Sequence, residues 1–176
     1  MSPIRSRLLV CQFMLAASGC DSSVTLPAAR SAKFQPIAFF EGRTHGDGEL
    51  HKLFSKPVRV SVDSVGRLKN GTLILDQRIR ETGKPASVRR WTITPVGNGR
   101  YSGTLTDAVG KVDATVVGAR GYIHYTMKHG FTVDQQLAQQ SDGTIVLNRL
   151  VVHKFGVRVA TLSETIRKGG LSDPRL

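Results

Sequence analysis

The 176-residue chain has two cysteines, Cys11 and Cys20, and none beyond position 20. Whatever folds after that point has no disulfide, no thiolate nucleophile and no thiolate metal site. Acid is scarce as well: 13 Asp and Glu stand against 25 Lys and Arg, for a net charge of +12. Long apolar runs are missing. The main one, residues 8–18, is far short of the roughly 20 residues that span a bilayer core. No segment keeps a helical period over three turns. A P-loop and a dinucleotide-binding glycine pattern are absent. His124, His129 and His153 are present, but there is no Gly-x-Ser-x-Gly elbow to make one of them a hydrolase base. No Lys/Arg-rich run with interleaved aromatics is found, so nucleic acid is not an expected partner. The basic surplus instead favours anionic surfaces such as phospholipid head groups or acidic glycans, or is simply solvated.

The N-terminus reads as an address. Arg5 and Arg7 precede the apolar stretch, which ends Ala16-Ala17-Ser18-Gly19-Cys20. A basic start, a short apolar core and small residues before a cut site make a signal peptide, expected over 1–19. Small residues directly before a cysteine resemble a bacterial lipobox, which makes Cys20 the expected lipidation site. Ala17 stands where Leu is usual, and bulky Val10 makes Cys11 a poor competitor. Two or three acyl chains at Cys20 would anchor stably. The expected location is the cell envelope, facing the periplasm. Asp21 resembles a residue that retains lipoproteins in the inner membrane. Residues 20–36, rich in Ser, Ala and Pro, read as the acylated cysteine and a flexible tether.

After Pro36 short runs of Val, Ile, Thr and Leu alternate with Gly, Asn, Asp and Pro. About ten strands are expected, roughly at 38–51, 57–63, 67–81, 87–96, 100–107, 111–119, 121–128, 131–138, 144–153 and 156–167. Turns are expected at Gly66, Asn70-Gly71, Gly97-Asn98-Gly99, Gly110, Gly118–Gly121 and Asp142-Gly143, since Asn-Gly and Asp-Gly tolerate positive φ. Leu73, Leu75 and Ile79 share one strand face, and Asp76, Arg78 and Arg80 share the other. Trp91, Ile93 and Pro95 share a face, as do Val157, Val159 and Thr161. The fold class is therefore all-β: an antiparallel up-and-down meander over 37–168, closing into a barrel of about 8–10 strands because closure removes exposed edges. A sandwich is the alternative. Residues 169–176 form a C-terminal tail.

Two constellations could carry chemistry. On a strand, His45, Asp47, Glu49 and His51 would line up on one face, and imidazole with carboxylate can hold zinc. Gly46 and Gly48 suggest a bulge that breaks the alignment, and a solvated polar face is the simpler reading. The second is a scattered polar set: Arg89, Trp91, Asp107, Tyr125, Asn148, Arg149 and Lys154. Arg149 interrupts the apolar run Ile145–Val152, and Asp107 is a candidate partner for it. The set is either an internal ion-pair network or the cationic end of a ligand cavity, suited to a carboxylate or phosphate.

Several of these residues form a recognisable series: Phe39-Phe40-x-Gly42, Arg89-x-Trp91, Tyr101-x-Gly103, Asp107-x-x-Gly110, Gly118, Asn148-Arg149 and Lys154-Phe155-Gly156-Val157. In this order and spacing the chain resembles the DUF3833 family of proteobacterial lipoproteins, over roughly 38–168. The resemblance implies a lipid-anchored protein with a lipocalin-like barrel, and it implies no reaction. Relatives found near fatty-acid-modifying enzymes point to a lipidic ligand. One stretch departs from the family: Val133-Asp134-Gln135-Gln136-Leu137 lacks the Trp and Met of an Asp-Trp-Met-like segment, so a cavity lined there would differ.

Three functions follow as expectations. The first is a membrane-tethered binding module for a lipid or fatty-acyl ligand, needing no cofactor and not an enzyme. The second is a structural or interaction protein of the envelope with a filled barrel and an unidentified protein partner. The third is a metal-dependent enzyme using the His45–His51 strand.

Overall fold

The structure, a computed structural model, describes residues 25–30 and 33–169. The expected signal peptide, Cys20 and the tail past Gly169 lie outside the described residues. One short helix, α1 (Pro36–Phe40), leads into ten strands: β1 (Gly42–Lys52), β2 (Val58–Lys69), β3 (Thr72–Glu81), β4 (Ser87–Gly97), β5 (Arg100–Leu105), β6 (Val112–Val117), β7 (Arg120–Met127), β8 (Phe131–Gln139), β9 (Ile145–Lys154) and β10 (Val157–Lys168). Each strand pairs antiparallel with its sequence neighbour, and β1 pairs with β10 to close the barrel. The all-β, lipocalin-like up-and-down barrel is thus the fold, and no sandwich forms. With both edges of every strand paired, the segment from residue 25 holds a complete sheet and its own core.

Alternation decides which side chains go in. Leu73 and Leu75 on β3, Trp91 on β4, Leu105 on β5, Val133 on β8 and Val146 on β9 face the interior and are buried. Asp76, Arg78 and Arg80 face out, as do Arg90, His124 and Asp134. This is the reverse of a bilayer-spanning barrel, whose outer face carries an apolar band. Arg67 and Arg90 flank Asp76 on the outer wall, and Lys52 and Lys84 flank Glu81 at the mouth end of β3. Exposed pairs of this kind add little stability each.

Three local expectations need correction. Residues 38–41 are not strand. Phe39 and Phe40 are both buried, and consecutive residues on a strand cannot both point inward. A helical turn opened by Pro36 sends both in, and Gly42, at φ 87°, starts the strand. Gly66 is not a turn but an interior residue of β2. A Cβ there would lie 1.9 Å from the carbonyl oxygen of Phe40, so only glycine lets α1 cross the barrel end at this height. Finally, Val157, Val159 and Thr161 do not share one face. The β9–β10 register shifts between Arg158 and Ala160, and a bulge of this kind resets the alternation.

Part of the segment expected as a tether, 20–36, lies on the barrel. Leu26 N–H donates to Gln136 Oε1 and Ala29 N–H to the Gln139 carbonyl, which lays residues 26–29 along the outside of β8. The chain then turns across the end of the barrel. Phe34 is buried there, its N–H bonded to the Gly118 carbonyl. Phe34, Phe39 and Phe40 stack edge-on in sequence and plug this end. The opposite end, at the β1–β2, β3–β4, β5–β6, β7–β8 and β9–β10 connections, has no such plug among the described residues and is called the mouth below.

Candidate functional site

The interior holds a belt of polar side chains between the plug and the mouth. On one wall, Gln77 (β3) joins three partners. Its amide donates to Ser64 Oγ at 3.0 Å, and its Oε1 accepts from Arg89 Nε and from Trp91 Nε1, both at 2.8 Å. Arg89 and Trp91 share the inner face of β4, where the guanidinium sits 5.8 Å from the indole ring. Such a stack is attractive because the ring face is electronegative. Trp91 packs edge-on against Tyr125 of β7 at 5.7 Å. Burial raises the Tyr125 phenol above its ordinary value, with the Arg89 charge opposing and the Asp107 charge adding to the shift. Arg89 has no carboxylate within 4 Å among the described residues; its one side-chain hydrogen bond goes to a neutral amide.

On the facing wall, Glu164 (β10) is buried and its carboxyl is pushed up by desolvation, against a smaller lowering by the Asn148 hydrogen bond and the Arg89 charge. Asn148 (β9) donates to Glu164 Oε2 at 2.7 Å and accepts from Gln135 (β8) at 3.0 Å. Gly46 and Gly48 of β1 lie under this carboxyl. A Cβ at Gly46 would fall 2.0 Å from Glu164 Oε1. These two glycines therefore make room for a buried acid; β1 runs straight through them without a bulge. Thr44 Oγ1 and Gln135 Oε1 are buried with no hydrogen-bond partner among the described residues. Unmet polar atoms of this kind are costly unless something else meets them.

Below the belt, between Trp91 and the plug, lies an apolar cavity of about 50 Å³. Phe34, Phe40, Ile93, Val112, Ile123 and Leu137 contribute to its wall. Gly103 keeps this wall thin: a Cβ there would meet the Thr92 carbonyl oxygen at 1.7 Å.

The structure thus brings Arg89, Trp91 and Tyr125 together, with Asp107 in the turn at the mouth just above, and it places Asn148 across the lumen. Arg149 is not with them. It alternates with buried Asn148 and Leu150 and so faces out, opposite Gln136 and Ser163 on the neighbouring strands. Its expected contact with Asp107 does not form, because a one-residue step along a strand exchanges inside for outside. Lys154 ends β9 at the mouth, its ammonium bonded to the His129 carbonyl. Sequence reasoning missed Gln77, Ser64, Gln135 and Glu164. Glu164 could have been found from the pair Gly46 and Gly48, but only once the β1–β10 register was known.

His45, Asp47, Glu49 and His51 do align, on the outer face of β1. They do not converge. His45 contacts Asp63 of β2 at 2.6 Å and Asp47 at 3.2 Å, while His51 pairs separately with Glu49 at 2.5 Å. Burial pulls the His45 imidazole down, and hydrogen bonds to Asp63 and Asp47 more than offset it, so its pKa is raised. Among the described residues no three of His, Cys, Asp and Glu gather in a way that could hold a metal ion.

The family model described as "Protein of unknown function (DUF3833)" matches residues 14–168. The chain belongs to the DUF3833 family. The match begins before Cys20 and takes in the plug, the barrel and the polar belt. Among curated proteins no sequence matches. Among solved structures, the S-type phycobiliprotein lyase from Guillardia theta is similar with a TM-score of 0.62 at 5% identity, over 77% of this chain and 92% of that one. A protein of unknown function from the DUF3598 family of Nostoc punctiforme is similar at 0.58 and 13% identity, over 78% of this chain; the alignment spans half of that longer protein. At these identities the likeness is one of fold.

Proposed function

We propose that this DUF3833 chain is the ligand-binding domain of a lipid-anchored envelope protein, and that its lumen takes an amphipathic acyl ligand with the anionic head on Arg89. The observation that carries this reading is Arg89 itself. It is a cation inside a barrel, oriented by Gln77 and the Trp91 face, with no carboxylate within salt-bridge distance among the described residues. A permanent charge in such a place binds a carboxylate or phosphate well, because two N–H groups of the fork can meet two oxygens. Trp91 links the head position to the apolar cavity beneath it, so head and tail have adjoining environments. The cavity, at about 50 Å³, admits a short apolar group; a longer chain displaces part of the Phe34–Phe39–Phe40 plug. The anchor rests on Cys20 and the apolar segment before it, and the periplasmic face of the inner membrane, favoured by Asp21, is the proposed address.

A second reading has its own observation. Val133, Val146 and Leu73 are buried within the core, so the barrel is largely filled by its own side chains, as an interaction protein would have it. Native mass spectrometry of non-acylated residues 22–176 separates the two. The carrier reading expects a discrete extra mass in the fatty-acid or phospholipid range, released on denaturation and lost in Arg89→Gln with the thermal unfolding midpoint unchanged. A clean mass after incubation with membrane extract favours the filled barrel. The anchor is tested apart from both: Cys20→Ser expressed from the full precursor should abolish incorporation of labelled palmitate.

A further inference from the structure

The mouth carries large apolar side chains where tight turns have no use for them. Phe54, in the β1–β2 connection, is 98% exposed, and Phe155, at the β9–β10 tip, is 89% exposed. Both hold positive φ, 61° and 52°. Bulky residues are strained there, and Gly or Asn would fit without cost. The two tips are neighbours, since β1 pairs with β10 and Leu53 N–H donates to the Val159 carbonyl. Leu53, Val109 and Val157 add exposed apolar surface at the same end. An aromatic held in strain and in water at two adjacent tips calls for a partner.

Charge says which partner. Lys56, Lys84, Lys111 and Lys128 lie on the mouth connections, while Asp107 is the acid among those connecting residues. Lys56, Lys111 and Lys128 have no carboxylate within 4 Å among the described residues. Lys154 sits over the rings of Phe131 and Phe155, at 4.6 and 4.7 Å, which puts a cation at the base of the Phe155 tip. Apolar tips ringed by lysine match an anionic bilayer surface, where rings enter the interface and ammonium groups meet the head groups. The chain's course agrees. Residues 26–29 run parallel to β8, so going back from Ala29 to Leu26 leads toward the mouth. Five chain steps then lead from Thr25 back to Cys20, a reach of at most about 18 Å.

We infer that the mouth of the barrel is a membrane-docking face for anionic bilayers, with Phe54 and Phe155 as its inserting tips. The lumen then opens onto the lipid and not onto bulk water. The inference does not need a ligand in the lumen, nor acylation at Cys20.

Co-sedimentation of non-acylated residues 22–176 with vesicles tests it. The probe is phosphatidylglycerol mixed equally with phosphatidylcholine, against phosphatidylcholine alone. Binding should be at least tenfold tighter to the anionic vesicles and should weaken at least tenfold in Phe54→Ser/Phe155→Ser. These sites are exposed, so the double variant keeps its thermal midpoint. A matched pair at the plug end, Asn70→Ser/Asn98→Ser, should leave binding unchanged. Equal binding of the Phe54/Phe155 variant and the parent overturns the inference. So does vesicle binding near background accompanied by Phe54-dependent dimers in sedimentation velocity, which would assign the tips to a second copy of the chain.

Discussion

At the plug end the strands turn through Asn70-Gly71, Asn98-Gly99 and Gly118-Ala119. Asn70, Gly71, Asn98, Gly99 and Gly118 all have positive φ, as tight hairpins require. Phe34, Phe39 and Phe40 of that end point inward. At the mouth, the same backbone conformation is given to Phe54, His129 and Phe155, and the phenyl rings point into solvent. One end thus follows the rules that make a hairpin stable, and the other keeps them at Gly83 and Gly110 but breaks them at Phe54, His129 and Phe155. The difference teaches where stability resides and where it has been given up. Selection for folding alone would put Asn or Gly at all of these turns.

The comparison can be broken most forcefully by exchanging burial. Phe34→Ala and Phe40→Ala should each lose about 3–5 kcal/mol in urea unfolding, whereas Phe54→Ala should stay within about 0.5 kcal/mol of the parent. Equal losses at both ends would mean the mouth aromatics pack in solution and the contrast is false. A smaller loss is expected at Gly66. There Gly66→Ala places a methyl against the Phe40 carbonyl, and overpacking of this sort costs about 1–3 kcal/mol. A crystal structure of that variant should show α1 lifted from the barrel end. The opposite sign is expected at the mouth, where Phe155→Gly removes the strain of a bulky residue at positive φ and should stabilise by about 1 kcal/mol. No change in the thermal midpoint would show that the tip is not strained.

Between the two ends sits Glu164, and its effect is a slope. Its native carboxyl titrates above the ordinary value of 4.5 because burial disfavours the charge. The stability it contributes is therefore fully present below about pH 4.5 and is lost as pH rises through its native pKa. Glu164→Gln keeps an acceptor for Asn148 and removes the titration, so its stability relative to the parent should climb as pH rises above about 4.5. Parallel urea midpoints across that range would show that Glu164 is ionised and solvated in the native protein.

The barrel was legible because its signals are local. Alternation at Leu73, Leu75 and Ile79 and the turn pairs Asn70-Gly71 and Asp142-Gly143 need only neighbouring residues, and the number of strands follows from such signals, although the expected strand 67–81 runs across the Asn70-Gly71 turn that ends β2 at Lys69 and starts β3 at Thr72. Whatever depended on a distant strand was not legible. Gly66 reads as a turn until Phe40 is seen crossing above it. Gly46 and Gly48 read as a bulge until Glu164, more than a hundred positions later, is found leaning over them. The candidate site divides in the same way. Arg89 and Trp91, two apart on one strand, were found as a pair. Gln77, which joins them, was not, since the β3–β4 register that sets it opposite Arg89 leaves no mark in either strand alone. Arg149 was placed inside because an arginine amid apolar residues attracts notice, although its neighbour Asn148 holds the inward position.

The closure between β1 and β10 sets the order of events in folding. Thr44 pairs with Lys168 and Lys52 with Ala160, so the first strand waits for the last. Until the twelve residues of β10 are available, β1 and β9 are both unpaired edges, and such edges join readily to other chains. High separation between partners also places folding toward the slow end, milliseconds to seconds. The nearly complete chain is therefore the form most exposed to misassembly. Loss of β10 alone would leave an intact plug and eight correct hairpin pairings in a sheet that never becomes a barrel.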